Sequence, residues 1–65
     1  MRDLPTQRQY EILELAALGL TAREIGQRMF LAEKTVKTHL QAARIHLGAA
    51  NTTQAVAIAI RIGKI

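Results

Sequence analysis

Five side chains able to bind an anion or a hydrogen-bonding edge fall close together in this chain: Lys34, Lys37, Thr38, Gln41 and Arg44. Lys and Arg are pure donors, a Gln amide both donates and accepts, and a Thr hydroxyl does either. None of them is a nucleophile with a partnering base, so the chemistry on offer is recognition and not bond-making. Between them run Val36, Leu40, Ala43 and Leu47 at i, i+4, i+7 and i+11, one stripe at the 3.6-residue period. A helix with this pattern is anchored on one side and projects cations and hydrogen-bonding groups from the other, as a DNA-reading helix must. A plain helical hairpin with a solvated outer face fits the same spacing.

Such a helix needs elements that fix it in place. Thr21 with Glu24 three residues on forms a capping box and opens a preceding helix, from which Ile25 and Met29 face inward. Gly26 suits a close crossing across the tight bend Phe30-Leu31-Ala32, where a side chain on the first helix of the pair has little room. Upstream, Thr6 with Gln9 makes a second capping box, Ile12, Leu13, Leu15 and Ala16 give an apolar face, and Gly19 supplies the stop. Arg8, Glu11 and Glu14 read as solvated, and Tyr10 as half-buried packing unless it touches phosphate or a partner. Gly48 ends the donor-bearing helix, and Asn51 with Gln54 begins a last one. The result is an all-α domain over residues 1–65, a compact four-helix arrangement with helices at about 7–18, 22–30, 33–47 and 52–62, preceded by a short arm ending at Leu4-Pro5.

Composition narrows the function classes. The chain has 65 residues and no Cys, so a small helical core must suffice without disulfide or thiolate metal site. A domain of this size buries only about 60% of its unfolded surface. No window approaches the ~18 apolar residues of a membrane span, and the first residues lack a signal-peptide apolar run, so the expected location is cytoplasmic with no membrane contact. Net charge is +4, and all five acids (Asp3, Glu11, Glu14, Glu24, Glu33) precede Lys34, Lys37, Arg44, Arg61 and Lys64. A polyanion is the natural partner of that second half, although a solvated cationic face would share the pattern. His39 and His46 lack acidic or thiol companions, which argues against a metal site; His39 reads as a packing residue with a satisfied nitrogen. No Gly-rich phosphate loop or nucleophile–His–acid set is present, so neither enzyme activity nor a cofactor is expected.

The segments Leu20-Thr21-Ala22-Arg23-Glu24-Ile25-Gly26, Met29-Phe30-Leu31-Ala32-Glu33-Lys34-Thr35-Val36-Lys37-Thr38-His39 and Leu47-Gly48-Ala49-Ala50-Asn51 closely resemble the LuxR-type (GerE-like) helix-turn-helix domain of bacterial transcription regulators. The resemblance runs from about Thr6 to Ile65. It implies that the second helix crosses the backbone of double-stranded DNA while the third enters the major groove. It places Lys37, Thr38 and Gln41 at base edges, where Lys meets guanine O6 and N7, Gln binds adenine, and Thr offers its hydroxyl or meets a thymine methyl. Lys34, Thr35 and Arg44 are better placed for phosphates, joined by Thr21 and Arg23 at the start of the second helix. By the same resemblance, Phe30 and Leu31 should plug the core.

Some positions depart from the family pattern. Ala32 stands where Ser commonly caps the third helix, a loss of about 0.5–2 kcal/mol, with Glu33 as the substitute cap. Ile45-His46 replaces a frequent Arg-Lys, and Thr52 a frequent Arg, so up to three phosphate contacts are absent or weakened. Ile45 near the polar face has no folding purpose; it meets a thymine methyl or sugar, or a protein partner.

The last helix is apolar almost all round. Val56, Ala59 and Ile60 are expected to pack inward and Ala55, Ile58 and Ile62 to project outward, where they need a cover. The resemblance implies a homodimer paired through this helix, which would set two reading helices about one DNA turn apart. The expected function is that of a dimeric, sequence-specific DNA-binding transcription regulator. The alternative is a small interaction module that pairs through residues 52–62 with another LuxR-type regulator and blocks or modulates it.

Overall fold

The computed structural model describes residues 5–65, so of the expected N-terminal arm only Pro5 falls within it and Met1 to Leu4 lie outside. Four helices follow in order: α1 Gln7–Ala17, α2 Ala22–Met29, α3 Glu33–His46 and α4 Thr52–Arg61. Among the described residues there is no strand.

Three of the four starts are built by side chains. Thr6 Oγ1 accepts from Gln9 N while Gln9 Oε1 accepts from Thr6 N, closing a capping box on α1. Thr21 and Glu24 do the same for α2, with Glu24 Oε1 2.8 Å from Thr21 N. Asn51 Oδ1 accepts from Gln54 N at 2.8 Å, and Gln54 returns its amide oxygen to Ala50 N. The start of α3 is the exception: Ala32 occupies the cap position with no side-chain hydrogen bond. Glu33 does not substitute for it, because its carboxylate turns instead to Lys37, 3.4 Å away.

The core has two lobes, and α1 and α3 line both. On one side Ile12, Ile25 and Val36 are fully buried, with Leu15, Ala16, Leu20, Ala22, Met29, Leu31 and Leu40 packed around them. On the other, Tyr10, Leu13, Ala43, Ala49, Ala55 and Ala59 are buried, flanked by Leu40, Leu47, Val56, Ile58 and Ile65. Among the described residues α1 and α3 each touch the other three helices, while α2 and α4 do not meet. α3 is thus a shared wall of both lobes. Tyr10, only 6% exposed, is a core residue and not half-buried packing; Lys64 Nζ lies 5.9 Å from its ring centroid.

At the bend, Gly26 is required by closeness: a Cβ there would stand 2.5 Å from the Leu31 carbonyl oxygen. Leu31 packs into the first lobe, but Phe30 does not plug the core. Its backbone is left-handed (φ 59°), which ends α2 and throws the ring outward to 95% exposure.

The orientation expected for α4 is also corrected. Ala55 and Ala59 are both fully buried, so Ala55 offers no surface to a second copy, and Ile58 is partly buried against the core. Ile60, expected inside, is 55% exposed; Ile62 is 50% exposed. The physical reason is size. Two alanines at i, i+4 let the α4 backbone come close to Tyr10, Leu13 and Ala43, which isoleucines on that face would prevent.

Candidate nucleic-acid interface

The candidate site is the face of α3 away from the core. Val36 and Ala43 are fully buried, and opposite them Lys34, Lys37, Thr38 and Gln41 are all exposed. The sequence pattern places these four together, and so does the structure. Thr35, also exposed, stands to one side of the stripe and Arg44 to the other, since 3.6 residues make a turn.

Each side chain has a definite state before any ligand arrives. Lys37 Nζ pairs with Glu33 Oε2 at 3.4 Å across one turn, with both side chains about half exposed or more. Such a surface pair is worth only about 0.3–0.5 kcal/mol, so it aims the ammonium without locking it. Thr38 Oγ1 donates to the Lys34 carbonyl at 3.1 Å. That back-bond uses the hydroxyl hydrogen and leaves an acceptor lone pair and the methyl for a base edge. Gln41 has both halves of its amide free of any protein partner among the described residues.

Arg44 is different. Half-buried, it donates from Nη1 to the Ala49 carbonyl at 3.2 Å and braces the α3–α4 joint. A guanidinium has five donors, so a phosphate contact remains open to the others, but sequence spacing alone did not reveal the structural bond. His39 is half-buried, and no described residue hydrogen-bonds it, so the expected satisfied nitrogen is not seen.

Thr21 and Arg23 are exposed at the start of α2. Thr21 Oγ1 already caps Glu24 N, leaving its hydroxyl hydrogen to donate, while the Glu24 carboxylate occupies part of the positive helix end. Among the described residues no three His, Cys, Asp or Glu gather into a metal-binding group, and no helix is long and apolar enough to cross a membrane.

Comparison with known proteins is consistent with this geometry. The family model of bacterial regulatory proteins, luxR family, matches residues 4–59, which span α1 to α3 and most of α4. The chain belongs to the LuxR family. It is 36% identical over 64 residues to the spore germination protein GerE of Bacillus subtilis, covering 98% of this chain and 86% of that protein. It is 48% identical over 64 residues to the HTH-type quorum sensing-dependent transcriptional regulator RpaR of Rhodopseudomonas palustris, covering 98% of this chain but 26% of RpaR. The transcriptional regulatory protein LiaR of Bacillus subtilis is 45% identical over 56 residues, which cover 86% of this chain and 26% of LiaR. The chain therefore spans about a quarter of the length of RpaR and of LiaR and most of GerE. No solved structure matches it.

Proposed function

We propose that this LuxR-family chain is a sequence-specific DNA-binding module of a transcription regulator, acting in the cytoplasm without enzymatic activity or cofactor. The observation that carries the reading is the exposed cluster Lys34, Lys37, Thr38 and Gln41 on a helix anchored on its other side by the fully buried Val36 and Ala43. Lys37, Thr38 and Gln41 contact base edges; Lys34, Thr35, Thr21, Arg23 and the spare donors of Arg44 hold phosphates and set register. Relatives whose names describe transcriptional regulators support this assignment.

The module pairs with a second copy through the outer face of α4. Ala57 and Ile60 are exposed at i, i+3 beside Arg61, with Ile62 exposed at the end of the helix. Ile60 replaces Ala55 and Ile58 as the centre of this surface. A two-fold pair would present two α3 helices to half-sites about one DNA turn apart.

Selection of bound sequences from a random duplex pool, followed by titration of the winner at several salt concentrations, tests both statements. Enrichment of a two-fold symmetric site whose affinity falls steeply with salt is the expected result. Absence of enrichment would overturn the DNA-binding reading. In that event the exposed Ile60 favours the second reading, an α4-mediated complex with another LuxR-type regulator, seen as a mixed dimer by mass.

A further inference from the structure

The Ile45 side chain belongs to neither core lobe. It is 57% exposed and nine residues beyond the fully buried Val36, which on a 3.6-residue helix places it about 180° away. Lys34, Thr38, Gln41 and Ile45 follow one another at i, i+4, i+7 and i+11, a stripe about 60° wide. The donor face of α3 therefore continues, on the same line, into a branched hydrocarbon. Branching at Cβ holds the side chain near one χ1 rotamer in a helix, so its methyl groups are presented in a fixed direction.

We infer that Ile45 is a specificity-determining residue that meets the 5-methyl group of a thymine in the major groove. This inference rests on the DNA-binding reading above. Of the groups that base pairs expose there, the thymine methyl is the apolar one; the others are hydrogen-bond donors and acceptors that Ile cannot pair. Four residues of helix separate Ile45 from Gln41, an advance of about 6 Å. With about 3.4 Å between successive bases, the thymine lies nearly two steps beyond the base read by Gln41. Cytosine at that position would present an amino group to a surface with no acceptor, so the contact also discriminates against C·G. Burying one methyl group against Ile45 should strengthen binding about fourfold.

The test uses the duplex selected by the unaltered chain. Each thymine is replaced singly by deoxyuridine, which removes the methyl group and nothing else, and affinities are measured for the unaltered chain, for Ile45→Ala and for Gln41→Ala. The expected result is one thymine per half-site at which uracil weakens the unaltered chain about fourfold, at which Ile45→Ala is indifferent to the change. That thymine should differ from the position whose preference is relaxed in Gln41→Ala. Uracil tolerated at every position by the unaltered chain would overturn the inference, as would a set of sensitive thymines none of which loses its sensitivity in Ile45→Ala; a thymine met by the Thr38 methyl stays sensitive in that variant. Both results presuppose a selected duplex, so they leave the DNA-binding reading standing; failure to select any duplex would overturn that reading and the role of Ile45 with it. Thermal melting of Ile45→Ala serves as the control, and an unchanged midpoint is expected for so exposed a side chain.

Discussion

The chain turns from α2 into α3 and from α3 into α4 within a few residues each, and the two joints are held by different means. At the second, local chemistry does most of the holding. Gly48 takes the left-handed backbone (φ 69°), Gly48 N donates to the Ile45 carbonyl and Ala49 N to that of Arg44, and the Arg44 side chain reaches Ala49. Asn51 then caps α4. At the first joint the backbone bond is kept, Leu31 N donating to the Gly26 carbonyl at 2.8 Å, but the glycine and the side-chain cap are missing. A phenylalanine adopts the left-handed conformation that glycine takes elsewhere in this chain, and an alanine stands at the cap of α3. Beyond that bond, what fixes this bend is packing: Ile25, Val36 and Leu31 in the first core lobe, and the close approach of Gly26 to the Leu31 carbonyl.

The difference teaches that the start of α3 is placed by the core more than by a cap or a glycine of its own. A left-handed non-glycine residue costs about 1–2 kcal/mol and an absent cap about 0.5–2 kcal/mol, both at the bend that leads into α3, the helix proposed to face DNA. Proteins that break local rules tend to do so beside functional sites. Here the α3 start without a side-chain cap belongs to the helix that carries the donor face, and the exposed Phe30 stands three residues before it.

If the account is right, removing packing should hurt the first joint most. Ile25→Ala deletes a fully buried side chain that joins α2 to α3, and should cost about 2–5 kcal/mol by urea unfolding. A smaller loss would mean that the bend carries hidden local support. Next come the glycines. Gly26→Ala forces a Cβ against a backbone oxygen and should cost about 1–3 kcal/mol while also weakening DNA affinity, because α3 must shift relative to α2. Gly48→Ala meets nothing within 4 Å and should cost about 1–2 kcal/mol through its backbone alone, leaving DNA affinity of the folded fraction unchanged. The caps give the smallest changes, and of opposite sign. Asn51→Ala should lower stability by about 1 kcal/mol and Ala32→Ser should raise it by a similar amount, read as shifts of the unfolding midpoint in opposite directions. An Ala32→Ser chain no more stable than its parent would show that the α3 terminus is already satisfied by other means.

Much of this was legible in the residues. Thr6/Gln9, Thr21/Glu24 and Asn51/Gln54 announce three helix starts, and Gly19 and Gly48 follow two helix ends; the observed bounds lie within a residue or so of those expected. The face of α3 was legible because Val36, Leu40, Ala43 and Leu47 leave only one side for Lys34, Lys37, Thr38 and Gln41. The rotation of α4 was not. A helix apolar almost all round has no polar face to orient it, and alanine's advantage is close approach, which appears only when the neighbouring helices are in place. Phe30 misled for a related reason: its type points inward, but its left-handed backbone decides otherwise. The bonds Arg44 makes to Ala49 and Thr38 makes to Lys34 are side-chain choices to which spacing is blind.

The central claim is that the exposed face of α3 reads base pairs while its buried face holds the fold, and Lys37 separates these roles most cleanly. The deciding measurement is the affinity of the unaltered chain and of Lys37→Ala for the selected duplex and for every single base-pair change in it, alongside their thermal unfolding. The account predicts a loss of about 1–3 kcal/mol that concentrates at one G·C pair, whose identity then ceases to matter to the variant, with an unchanged unfolding midpoint. A variant that binds with the same sequence preference as its parent, or that unfolds instead, would contradict it.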